Sequence, residues 1–128
     1  MLKVLPIQSK TEQEEICKKC NVKFDPDLLA YVATVDDKLA GICQFRLTDN
    51  GGMLYDIAPA EGTNDFEALF VMGRGTLNFI DLCGVHKAFF VGEADDTLLR
   101  AIGFTKNADE KYEINLEGFF TDHCHQHK

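Results

Sequence analysis

Two carboxylates, Asp56 and Glu93, are the residues of this 128-residue chain best suited to moving a proton. Asp56 stands on a short alternating segment, Met53 to Ala58, and Glu93 follows the end of another, Lys87 to Val91. A carboxylate so placed accepts a proton from an ammonium group, directly or through water, once partial burial lifts its pKa. The plainer alternative for both is a solvated acid at a strand end. Tyr55 and Tyr31 are the corresponding proton donors, although tyrosine in a strand ordinarily serves packing.

A second chemistry is suggested by sulfur and imidazole. Cys17-Lys18-Lys19-Cys20 is a CxxC, and His123-Cys124-His125-Gln126-His127 brings further ligand types together. Zinc takes four nitrogen or sulfur ligands, so Cys17, Cys20, Cys124 and His125 form one candidate set if the last residues fold back on the first helix. The alternative is that Cys17 or Cys20 faces the core. Cys83 and His86 flank a helix stop with no third group to orient them, which disfavours a thiol–imidazole pair. The five cysteines are an odd set. With no export signal expected at the start, reduced thiols are the default, and Cys43 and Cys83 fall within apolar patterns that suit small core residues.

These groups need a scaffold. Leu2 to Ile7 is predicted as a strand, and Thr11-Glu12-Gln13-Glu14 as the start of a helix ending near Asn21. Leu29 to Val35 and Leu39 to Leu47 alternate as strands around an Asp36-Asp37-Lys38 turn. Asp49-Asn50-Gly51-Gly52 predicts a hairpin into Met53–Ala58. From Asp65 the period changes to that of a helix, through Phe66, Leu69, Phe70, Gly73, Leu77 and Ile80, ending near Gly84. Asn64 is its expected N-cap, with Glu67 completing a capping box. Gly73 and Gly75 are expected to let this helix lie close against the sheet. Lys87 to Val91 is a buried strand, Asp95-Asp96-Thr97 starts a short helix stopped by Gly103, and Phe104–Asn107 with Lys111–Leu116 closes as a hairpin.

Helix, glycine, phenylalanine and hairpin, in Leu98-Leu99-Arg100-Ala101-Ile102-Gly103-Phe104 and the segment to Leu116, resemble the last third of the GNAT acyltransferases. The resemblance extends over about Leu29 to Phe120. It implies an α/β (α+β) fold with a central mixed, mostly antiparallel sheet of about seven strands and about three helices. Residues 1–120 are expected to form one domain and 121–128 a Cys/His-rich tail.

The resemblance also implies acetyl-CoA as cofactor, with its acyl arm held by main-chain groups around Ile57 and Ala58. Its pyrophosphate would lie on the amides of the loop holding Gly62, Thr63 and Asn64, as anions do at helix N-termini. In this loop the family's basic or amide position falls on Gly62, and its two glycines fall on Asp65 and Glu67. The family's tyrosine acid falls on Leu99, and its asparagine after the preceding strand on Gly92. Lys3, Arg74, Lys87 and Arg100 are the candidate cations for offsetting the two loop carboxylates.

The formal charge of −8, with no basic stripe, argues against nucleic acid as a partner. No run approaches the roughly 18 apolar residues of a membrane helix, so a cytoplasmic protein is expected. Two functions remain open. One is acyl-CoA-dependent N-acylation of a small amine, with Asp56 or Glu93 as base. The other is a non-catalytic ligand-binding or interaction module on the same fold, with a zinc site as an addition to it.

Overall fold

Hydrogen-bonding side chains at the helix starts and left-handed residues at the turns set the element boundaries. The computed structural model describes residues 1–120. The chain runs β1 (Leu2–Pro6), α1 (Lys10–Lys19), β2 (Leu29–Val35), β3 (Lys38–Thr48) and β4 (Gly51–Pro59). It continues as α2 (Phe66–Leu82), β5 (Lys87–Phe90), α3 (Asp96–Ile102), β6 (Thr105–Lys106) and β7 (Tyr112–Asn115). Ser9, rather than Thr11, opens α1: its hydroxyl accepts from the Glu12 amide at 3.3 Å. Asp36 and Asp37 both take positive φ, 51° and 68°, the geometry a two-residue hairpin between twisted strands demands. The final hairpin is shorter than its sequence pattern, with β6 reduced to Thr105–Lys106.

The strands form one sheet of seven in the order β1-β2-β3-β4-β5-β7-β6. All neighbours are antiparallel except β4 and β5, which are parallel. That parallel contact requires a crossover, and α2 supplies it. The sheet's two faces carry different cores. Strand alternation sends Cys43, Phe45, Leu54 and Ile57 to the face covered by α2 and α3, where Leu77, Ile80, Leu98 and Ile102 meet them. It sends Ala30 and Ile42 to the face covered by α1, where Cys17, Cys20 and Ala60 complete a smaller cluster.

Gly73 and Gly75 act differently from the sequence expectation. A Cβ on Gly73 would come within 2.6 Å of Ile102 of α3, so this glycine admits the neighbouring helix. A Cβ on Gly75 would stand 3.5 Å from Val4 of β1, an ordinary contact. Cys43 is fully buried as expected, whereas Cys83 is exposed. Cys83 is the C-cap of α2.

Candidate functional site

The site is organised by the place where β4 and β5 part. Their pairing covers only Gly52–Leu54 against Ala88–Phe90, and the Val91 amide adds one last bond to the Leu54 carbonyl at 2.9 Å. On its other side β4 remains paired to β3 as far as Pro59, with a bulge that leaves Tyr55 without a partner. Ala60 donates to the Ala40 carbonyl at 3.0 Å. The two-residue repeat then turns the main-chain groups of Ala58 and Asp56 toward β3, and those of Ile57 toward the gap beyond β5. A strand edge with no neighbour offers one amide and one carbonyl to whatever enters.

Gly92 sets where this gap begins. A Cβ there would fall 2.0 Å from the Tyr55 carbonyl oxygen, so no larger residue fits against β4 in the present arrangement. Gly92, the position where the resemblance implies an asparagine, is thus a place where the two backbones close together. Leu99, where the resemblance implies a tyrosine, is fully buried in the main core.

Asp56 lies on the α1 face of β4, half-buried, and lines a cavity of about 260 Å³ with Lys23, Asp25, Leu28, Arg46 and Tyr55. Burial pushes its carboxyl pKa up, and a hydrogen bond from Gln44 Nε2 to Asp56 Oδ2, 2.7 Å long, opposes that shift. Glu93 follows β5 and is exposed, and no protein group among the described residues bonds to its side chain. The structure therefore gives the two candidate bases different surroundings. Tyr31 serves packing, stacked on Phe45 at 6.0 Å and edge-on to Phe79. The Tyr112 hydroxyl is committed to Asp96 at 2.5 Å, joining β7 to the start of α3.

The entrance to α2 is partly self-satisfied. Its N-cap is Asp65, one residue later than predicted for Asn64, and the Asp65 carboxylate accepts from the Ala68 amide at 3.0 Å. Both residues are good caps, and one residue of register decides between them. The amides of Ala60, Glu61 and Thr63 are bonded to Ala40, Lys19 and Ala60 carbonyls respectively. Thr63 Oγ1 is also turned inward, to the Ala60 carbonyl at 2.8 Å. Among the described residues no acceptor meets the amides of Gly62, Asn64, Phe66 or Glu67. Gly62 takes φ 81° with open space where a side chain would be.

The four cations considered from sequence are engaged elsewhere. Arg74 donates to the Ile102 carbonyl at 2.5 Å between the Phe70 and Phe119 rings, and Arg100 grips Asp96. Lys87 lies over Phe89, and Lys3 is 4.0 Å from Asp37. Lys38, which sequence spacing did not single out, is the cation that shares a hollow of about 270 Å³ with Thr63 and Asp65.

Cys17 and Cys20 are buried on the inner face of α1 and at its C-cap. Burial above all, with the negative charge of Asp56 adding to it, pushes their thiols up to about 11 and about 12. A protonated core thiol is a poor metal ligand. Cys124 and His125 lie outside the described residues, and among the described residues no group of three or more metal-ligating side chains converges. His86 pairs with Asp81 at 2.6 Å rather than with Cys83.

No family model matches the chain, and no curated protein is similar to it in sequence. Solved structures are similar in fold. The ribosomal-protein-S18-alanine N-acetyltransferase of Escherichia coli superimposes with a TM-score of 0.67 over 91% of this chain and 94% of its own, at 11% identity. An acetyltransferase of the GNAT family from Staphylococcus aureus gives 0.63 over 91% and 99%, at 13% identity. The PaiA N-acetyltransferase of Thermoplasma acidophilum, solved in complex with coenzyme A, gives 0.56 over 80% and 67%, at 14% identity. The chain has the GNAT acyltransferase fold.

Proposed function

We propose that this protein is an acyl-CoA-dependent N-acyltransferase that acts on a small amine, with Asp56 as general base. The observation that carries the reading is the position of Asp56: half-buried beside the strand edge at which Ile57 turns its main-chain groups into the gap. The names of the structural neighbours support the same chemistry, and one of them was solved with coenzyme A.

Acetyl-CoA would bring the activated acyl group, its arm along Ile57 and Ala58 and its pyrophosphate toward the open amides of Gly62, Asn64, Phe66 and Glu67. The fit is good at the acyl end and poorer at the phosphates, where Asp65 and Glu67 place like charge. Lys38 is positioned to offset part of it. At the acyl end Asp56 would take a proton from the ammonium, and the freed lone pair would form the C–N bond while the Ile57 amide faces the oxygen that gains charge. The C–S bond would then break to release the thiolate, which takes its proton from water. Lys23 and Arg46 face Asp25 and Asp56 across the cavity, so its wall carries both signs of charge. At about 260 Å³ the cavity suits a small acceptor. Glu93 is the second base in this reading, acting from solvent through water.

The decisive experiment incubates the protein with acetyl-CoA and pooled small amines, following thiol release and acetylated products by mass spectrometry. Acetylation of a small amine that is lost in Asp56→Asn supports the reading. No product from any pool, together with no heat from millimolar acetyl-CoA in calorimetry, overturns it. The second reading, a binding or interaction module without catalysis, is favoured by one observation: Asp65 caps the helix whose amides the phosphates would need. Coenzyme A binding without turnover would select it.

A further inference from the structure

Two buried glutamines lead from the surface to Asp56. Gln44 is completely shielded from solvent, and Gln13 is 1% exposed. Lys10 Nζ donates to Gln13 Oε1 at 3.1 Å, Gln13 Nε2 to Gln44 Oε1 at 3.0 Å, and Gln44 Nε2 to Asp56 Oδ2 at 2.7 Å. The orientation of both amides is forced by their second partners. Gln44 Nε2 also faces the Lys23 carbonyl at 2.8 Å, and Gln13 Nε2 faces the Leu28 carbonyl at 3.3 Å. Flipping either amide would set oxygen against oxygen. Each side chain of the series therefore donates to the next in the direction of Asp56, with the Lys10 ammonium at the far end.

We propose that Lys10, Gln13 and Gln44 form a one-way hydrogen-bond relay that holds Asp56 as a carboxylate and leaves its Oδ1 free for the cavity. No protein group among the described residues donates to Oδ1. Aligned amide dipoles inside a low-dielectric region carry the influence of an end charge further than water would. The relay also pins the segment between α1 and β2, since Lys10 donates to the Leu28 carbonyl at 2.5 Å and Gln44 holds Lys23. One polar chain thus sets the wall of the cavity and the charge of its floor. Gln44 and Gln13 are positioning residues; neither lines the cavity.

The catalytic meaning of the relay rests on the acyltransferase reading, but its test does not. The Asp56 carboxyl carbon is titrated by NMR in the full chain. Other groups act on Asp56 and must be held constant: Cys17 and Cys20 from α1, Cys43 and Arg46 from β3, Tyr55 from β4, and Lys23 and Asp25 from the loop. Gln44→Leu is expected to move the Asp56 midpoint up by about one pH unit, a tenfold change in ionisation. Lys10→Met, with an unchanged circular dichroism spectrum as the check that the Leu28 segment stays in place, is expected to lower the ionisation constant of Asp56 about twofold, and Lys10→Arg to restore it. An unchanged midpoint in Lys10→Met overturns the relay whatever becomes of Gln44→Leu. If the relay holds and no amine is acetylated, the acyltransferase reading alone fails.

Discussion

The floor of the cavity beside Asp56 and the doorway of α2 are separated by a few residues of β4 and its following loop, yet they are built on opposite principles. At the cavity, polar groups are brought in from α1 and β3 and aimed at one carboxylate, whose second oxygen stays free. At the doorway, the chain turns its own groups inward: Asp65 onto the Ala68 amide, Thr63 onto the Ala60 carbonyl. The first arrangement prepares a charge for an incoming group. The second gives part of the proposed anion site to the helix itself and adds two acids, Asp65 and Glu67, to it. In the proposed acyltransferase, this contrast would present the base well and hold the cosubstrate weakly.

The sharpest way to break that contrast is to neutralise Asp56, the proposed base. Asp56→Asn keeps the shape and still accepts from Gln44, so the protein should fold with an unchanged circular dichroism spectrum. Acyl transfer should fall by about 100- to 10,000-fold, the range for loss of a positioned acid or base. An equal rate in Asp56→Asn would move the chemistry to Glu93. The gap beside the base is tested next. Gly92→Ala forces a methyl against the Tyr55 carbonyl, at 2.0 Å in the present geometry. Denaturant melts should show a loss of about 1–3 kcal/mol, as overpacking costs elsewhere. A smaller loss would mean that β4 and β5 separate easily.

Much of the scaffold was legible because its signals are local. Asp36-Asp37 and Asp49-Asn50-Gly51 tolerate the backbone that hairpins demand, and Gly103 ends α3 with φ 133°. The relay was not read, for a physical reason. Gln44 alternates with Cys43 and Phe45 as any outward residue would, and only the third dimension shows that α1 covers it. The available signal was Gln13 at helical spacing with Cys17 and Cys20, one polar member of an inward stripe. The cap was displaced from Asn64 to Asp65 because two chemically equivalent candidates stand side by side. Cys83 is exposed, against expectation, because an apolar pattern does not fix which side of a helix end faces solvent.

The doorway can be sharpened without disturbing its fold. Asparagine caps a helix as well as aspartate does, so Asp65→Asn removes the charge and keeps the bond to the Ala68 amide. Stability should change by only about a few tenths of a kcal/mol, from the lost interaction with the helix dipole. Coenzyme A should bind about fivefold to tenfold tighter in calorimetry, roughly 1 kcal/mol, with the gain shrinking as salt rises. Unchanged affinity would show that the phosphates sit elsewhere.

The smallest effect separates the two regions by pH. Burial raises the Asp56 pKa in the folded chain, so folding favours its protonated form. Its contribution to stability is then complete below the ordinary carboxylate range and is lost as pH rises through the raised folded value. The side chain introduced by Asp56→Asn mimics the neutral form at every pH. That variant should therefore melt at or slightly above the parent temperature near pH 7, and the difference should vanish by about pH 3, where both proteins carry an uncharged group at this position. If the variant instead melts lower at neutral pH, the donors arriving through Gln44 outweigh burial. The carboxylate would then stabilise the fold directly, rather than being a charge kept at some cost for its chemistry.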